Sequence, residues 1–199
     1  MSSRPGAIVV EPNPLPVRPA LACIELSSIA RGIKMCDEMA KRAAVRVLQA
    51  VTVCPGKFIV VIGGEVEEVR QSYAKGLEIG GPAVVDQLIL PNAHPQLIPA
   101  IEATSVIDEV KAVGVVETFA VASAILAADA ACKRAAVRLI EVRLARGIGG
   151  KAFFTLTGDQ ADVEAAVEAA EAILGEESGL LLRTEVIPRP HPDMVRWLL

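Results

Sequence analysis

Few side chains in this sequence could do chemistry, and their spacing decides which kind. Four cysteines, two histidines and one glycine-rich run stand out. A metal site or general base needs partner groups at ligand spacing. His94 and His191 have none and both lie among prolines, so a packing or interface role is expected. Cys23 alternates into an apolar strand pattern, and Cys36 and Cys132 fall on an Ala-rich helical stripe. These three read as small core fillers. Cys54 differs, because it lies in the turn Cys54-Pro55-Gly56, where burial is no obvious explanation. The run Gly147-Ile148-Gly149-Gly150-Lys151 superficially suggests a phosphate cradle. Such a cradle needs a helix directly after the glycines, whereas Ala152-Phe153-Phe154-Thr155-Leu156 reads as a strand. A hairpin whose glycines let backbones approach closely fits better. Glu25 and Glu117 each close a strand pattern, but nothing in the sequence brings them together as an acid/base pair. With no Ser-His-Asp set, ligand cluster or nucleophile motif, an enzyme is not expected.

The elements that must position these residues are written twice. Lys41-Arg42-Ala43-Ala44-Val45-Arg46 recurs letter for letter as Lys133-Arg134-Ala135-Ala136-Val137-Arg138, 92 residues later. Lys57 and Gly64 pair with Lys151 and Gly158 at an offset of 94. Pro91 to Pro95 pairs with Pro188 to Pro192 at 97. The drift puts small insertions in loops. Each copy reads β-α-β-β-α-β, the ferredoxin-like order of an α/β (α+β) fold, with both helices on one face of an antiparallel sheet. In the first copy, Ser27-Ser28 offers N-cap hydroxyls, and Ile29, Ile33, Cys36, Ala40 and Ala43 form the stripe expected to face the sheet. Val121, Ile125, Ala128, Cys132 and Ala135 form its counterpart. The expected division is a proline-rich extension over 1–19 and two domains over 20–110 and 111–199.

Bulk composition narrows the function. A net charge of −4 argues against nucleic acid, which needs basic stripes. Aromatics are only 3%, leaving few surfaces for stacking bases or sugars. Irregularly spaced cysteines fit a reducing compartment rather than a disulfide framework. No signal peptide is read at the N-terminus. The apolar run from Val113 to Cys132 contains Glu117 and Asp129, so a strand followed by a helix explains it better than a membrane span.

Taken together, these residues resemble the bacterial microcompartment (BMC) shell-protein family. The likeness rests on Glu117 in a first strand, Lys133-Arg134-Ala135-Ala136-Val137 closing an Ala-rich helix, and the glycine turn ahead of Lys151. Gly158-Asp159 before the second helix and Pro188-Arg189-Pro190-His191 after the last strand complete it. It spans about residues 20 to 199, and copies that start at strand one resemble the unpermuted tandem-domain class. That class implies a homotrimer shaped like a hexamer, tiling with other shell proteins around a cytoplasmic microcompartment. It implies no nucleic-acid or membrane partner. Lys41 and Lys133 would lie at lateral edges and Arg189 would reach a neighbouring assembly. Asn92 departs from the family's arginine, which implies weaker self-tiling or mixed shells. The turn Thr52-Val53-Cys54-Pro55-Gly56-Lys57-Phe58 is similar to that of tandem-domain members from propanediol-utilisation microcompartments. This similarity implies a central pore lined by Cys54, Pro55, Gly56, Gly147, Ile148, Gly149 and Gly150. Three Cys54 thiolates would there hold one [4Fe-4S] cluster per trimer, for electron transfer or cluster transport. Two other readings compete: a metabolite pore with Cys54 unmetallated, and a ferredoxin-like ligand-binding regulator or small enzyme using an open sheet face.

Overall fold

The computed structural model describes residues 14–17, 19–145, 147–175 and 179–199. Most of the proline-rich extension (1–13 and Arg18) and Arg146 lie outside the described residues. The first copy runs β1 (Ala20–Leu26), α1 (Ile29–Arg42), β2 (Arg46–Val53), β3 (Lys57–Gly64), α2 (Val66–Gly80) and β4 (Val84–Leu90), then a short α3 (Leu97–Ile101). The second runs β5 (Ala112–Thr118), α4 (Val121–Arg134), β6 (Arg138–Leu144), β7 (Ala152–Gly158), α5 (Gln160–Leu174) and β8 (Leu181–Ile187), then α6 (Pro192–Val195). The apolar run 113–132 is thus a strand and a helix. No helix among the described residues is long and apolar enough to cross a membrane.

The sheets have the orders β2-β3-β1-β4 and β6-β7-β5-β8, all antiparallel, the ferredoxin-like arrangement in both copies. Even the irregularities repeat. The register slips after Glu25 in β1 and after Glu117 in β5, and it slips within Val47/Gln49 and Leu139/Glu141. Alternation sends Ala22, Ile24 and Leu26 to the helix side of the first sheet, where they pack with Met35, Met39, Val60 and Ile62. Leu21 and Cys23 point to the opposite side and join one continuous core with α3, α4 and the second sheet. The two copies therefore share apolar packing.

The Ser28 hydroxyl caps α1, accepting from the Arg31 N–H at 3.4 Å. The stripe expected to face the sheet does not do so in the first copy. Gly32, Met35 and Met39 fill that position, while Ile29 and Ile33 are exposed, Ile33 at 58%. In α4 both faces are buried: Ala124, Ala127 and Ala131 match the first set, and Val121, Ile125, Ala128 and Cys132 match the second. The physical reason is that α4 lies between its own sheet and β1 and β4 of the first copy. The Ile29/Ile33 stripe faces away from its own sheet and is exposed, whereas its counterpart in the second copy is covered by the first sheet. Cys36, on that stripe, is consequently half-buried rather than a core filler.

Candidate functional site: paired turns and an interdomain seam

The β2–β3 hairpin carries Cys54 at its tip, with the Gly56 N–H donating to the Val53 carbonyl at 3.0 Å. The Cys54–Pro55 peptide is cis, and Cys54, Pro55 and Gly56 are all exposed. The other thiols are set back. Cys23 and Cys132 are buried, and burial raises the pKa of both, that of Cys132 to about 12. Cys54 is the one exposed cysteine. Among the described residues no three His, Cys, Asp or Glu side chains group into a metal site.

Behind the turn, Lys57 Nζ donates to Glu25 Oε1 at 2.6 Å, and the Glu25 side chain is only 3% exposed. A buried carboxylate requires such a partner. No ion pair joins Glu117 to Lys151 among the described residues, so the two hairpins diverge at this point. The second hairpin carries Gly147, Ile148, Gly149 and Gly150, with the Lys151 N–H donating to the Ile148 carbonyl at 3.3 Å. All three glycines have positive φ, which favours glycine. The two tips meet: a Cβ on Gly150 would stand 3.1 Å from the Cys54 carbonyl oxygen. The glycine hairpin expected from sequence thus approaches the cysteine turn backbone to backbone.

A polar seam joins the copies on the far side. Asp129 Oδ1 accepts from the His94 N–H at 2.8 Å, and Asp129 Oδ2 pairs with Lys133 Nζ at 2.6 Å. Lys133 Nζ also donates to the Asn92 carbonyl at 2.6 Å. Lys133 is therefore engaged inside the chain, whereas Lys41 is exposed and, among the described residues, pairs with Asp37 on its own helix. His94 is half-buried there, and burial lowers its imidazole pKa despite the nearby Asp129. Gln96 bridges to the outer edge of β6. Its Nε2 donates to the Val137 carbonyl at 2.9 Å and its Oε1 accepts from the Leu139 N–H at 2.8 Å. Sequence reasoning missed this clamp because the repeat places Asp193 opposite Gln96. It missed the Lys57–Glu25 pair too, although both residues had been marked as repeat positions. His191 and Arg189 are exposed, and the His191 Nδ1 accepts from the Asp193 N–H at 3.2 Å.

Two tandem ferredoxin-like copies, with facing hairpin tips and one polar seam, define a duplicated module. The BMC domain matches residues 20–93 and again 112–190, so the chain belongs to the BMC shell-protein family. It is 45% identical over 180 residues to the bacterial microcompartment shell protein PduT of Citrobacter freundii, covering 90% of this chain and 97% of that protein. A crystal structure of a microcompartment protein from Desulfitobacterium hafniense DCB superposes with TM-score 0.86 at 46% identity, over 90% of this chain and 99% of that one. The bacterial microcompartment shell protein EutM of Salmonella typhimurium is 37% identical over 84 residues, 42% of this chain and 84% of its own length. The protein is a structural shell component of the PduT type.

Proposed function

We propose that three chains close into a ring of six domain copies, a shell tile whose central opening is bordered alternately by the Cys54 turn and the Gly147–Gly150 turn. The observation that carries this reading is that the seam inside the chain is head-to-tail. The first sheet receives α4, while α1 offers the same stripe uncovered. A heterologous contact of this kind closes into a ring when its rotation permits. Repeating it brings Ile29 and Ile33 onto β5 and β8 of the next chain. It also sets Asp37 and Lys41 against the next chain's backbone at Arg189 and His191, as Asp129 and Lys133 meet Asn92 and His94. Lys41 is then engaged between chains as Lys133 is engaged within one, and Arg189 lies where seam and outer edge meet, available to other shell proteins of the same compartment. Arg189 alternates with Asn92 around the rim, so self-tiling is weaker at three of the six corners.

The pore reading extends to a [4Fe-4S] cluster. Thiolate is the ligand such clusters take, usually several of them, and each chain offers one exposed thiol at a hairpin tip. Three symmetry copies of Cys54 would hold three irons of a cubane, and the glycines of the second hairpin keep the rest of the opening free of side-chain bulk. When bound, the cluster supplies one-electron transfer across the shell, or is itself the cargo. Cys54 binds and orients, and the half-buried Lys57–Glu25 pair fixes the strand behind it. Anaerobic purification followed by iron and sulfide analysis tests this. About four irons per three chains, lost in Cys54→Ser while the trimer persists, is the expected result. Iron-free trimers after reconstitution leave a metabolite pore, and a monomer in sedimentation removes the ring.

A further inference from the structure

The seam inside the chain has one more component, and its counterpart, the C-terminal segment, lines an open cleft with Ile140, Glu141 and Arg143 of its own chain while Trp197 stays 86% exposed. Helix α3 lies along the outer edge of β6, where Gln96 occupies the strand's backbone groups. An open cleft of about 360 Å³ lies there, lined by Ala100 and Ile101 on one side and by Val142 and Leu144 on the other. β2 is the equivalent edge strand of the first sheet; its Gln49 and Arg46 side chains reach Ile101 and Glu102, but among the described residues no helix lies along its edge as α3 lies along β6. An uncovered edge strand is a template for pairing unless something shields it. By the repeat offsets, Trp197 and Leu198 stand where Ala100 and Ile101 stand, and Ala50 and Thr52 stand where Val142 and Leu144 stand. Ala100 is buried, whereas Trp197 is 86% exposed, and Ala50 and Thr52 are exposed as well. Side-chain volume has moved from the strand to the tail. An alanine facing a valine and a leucine inside the chain becomes a tryptophan facing an alanine and a threonine.

We propose that the C-terminal segment from Met194 to Leu198 is the clasp between subunits, with Trp197 of each chain seated over Ala50 and Thr52 on the β2 edge of the next. The occupant is a second copy of this chain, because the exchange of large for small matches these two surfaces to each other. Asp193 stands in the place of Gln96 and brings carboxylate oxygens to the Val47 N–H of the neighbour, the counterpart of the Leu139 N–H. The exchange also sets the order of assembly. Val142 and Leu144 leave an indole less room than Ala50 and Thr52 do, and packed interfaces favour matched volumes. Each tail is thereby directed to a first-copy strand, which keeps the two copies alternating.

The inference rests on the ring reading, and one experiment separates them. Trp197 is the only tryptophan, so the fluorescence of the full chain reports on this residue alone. Emission and acrylamide quenching are followed across a dilution series, with the oligomeric state measured by sedimentation. A trimer with blue-shifted emission, quenched several-fold less than the diluted monomer, is the expected result. Trp197→Ala then weakens association at the seam at least about tenfold, as truncating a buried aromatic anchor does. A stable trimer whose Trp197 emits and quenches as a fully exposed indole overturns the clasp and leaves the ring. A monomer at every concentration overturns the ring itself.

Discussion

Replacing Gly32 with alanine should destabilise the protein, against the ordinary preference of a helix interior, and removing the Phe58 ring should relieve that effect. On propensity alone the change gains about 1 kcal/mol. The structure opposes it. A Cβ on Gly32 would stand 2.5 Å from Phe58 Cδ1 and 2.6 Å from Phe58 Cβ. Helix α1 cannot back away freely, because Met35 and Met39 beside Gly32 are fully buried. Overfilling a packed core costs about 1–3 kcal/mol, so after the propensity gain the net loss is expected at up to about 2 kcal/mol. Phe58→Ala alone removes a buried ring and costs about 3–5 kcal/mol. The second copy shows the alternative solution, with Ala124 and Ala152 at the corresponding positions. In the double variant the ring atoms that met the new methyl are gone and only the Cβ of residue 58 still stands in its way, so the losses fall short of their sum by about 1 kcal/mol. Urea unfolding of the four proteins, at one concentration and with oligomeric state checked, gives the coupling. Losses that add to within about 0.5 kcal/mol, the tolerance for independent sites, would refute the reasoning.

Four further outcomes follow from the seam and the turns. Lys133→Met leaves the buried Asp129 carboxylate without its cation and should cost about 1–2 kcal/mol of unfolding free energy, less than a fully buried pair because Lys133 is partly exposed. Burial holds the His94 imidazole below its ordinary value of 6.5, so the folded state binds its proton less readily than the unfolded chain. The stability it lends is complete above pH 6.5 and is lost as pH falls below it; the drop in Tm between pH 7.5 and pH 5.5 should shrink in His94→Gln. A thiol reagent at pH 7.5 should modify Cys54 first in iron-free protein and Cys36 more slowly, with Cys23 and Cys132 reacting only on unfolding. Mass spectrometry of a quenched time course reads that order. Gly150→Ala places a side chain at φ +87 against the Cys54 carbonyl and should lower stability by about 1–2 kcal/mol, together with the iron content of anaerobic protein. Unchanged iron would separate the glycine turn from the cysteine site.

The duplication made most of the architecture legible. A verbatim repeat of Lys41 to Arg46 fixes two copies, and the switch between alternating and helical apolar spacing fixes the element order within each. The face of α1 was misread for a definite reason. Ile29 and Ile33 form a stronger apolar stripe than Gly32, Met35 and Met39, but hydrophobic spacing does not say whether a stripe meets its own sheet or a neighbour. Lys133 was legible as a special position and not as an internal partner of Asn92, because that contact depends on how two copies dock. Gln96 left no trace, since a clamp on strand-edge backbone groups needs no motif and its repeat counterpart is an aspartate. Cys54 could be picked out because a small apolar thiol at a hairpin tip is out of place in any scheme of core filling.

Two unlike hairpin tips in one polypeptide have a consequence for stoichiometry. A ring of six identical domains repeats every substitution six times around its axis, so a thiol introduced at the tip appears sixfold. In the proposed ring, joining two diverged copies lowers the symmetry to threefold. Sulfur would then occupy alternate positions and a glycine-rich turn the others, and because the two tips touch, a change in either set is felt by its neighbour.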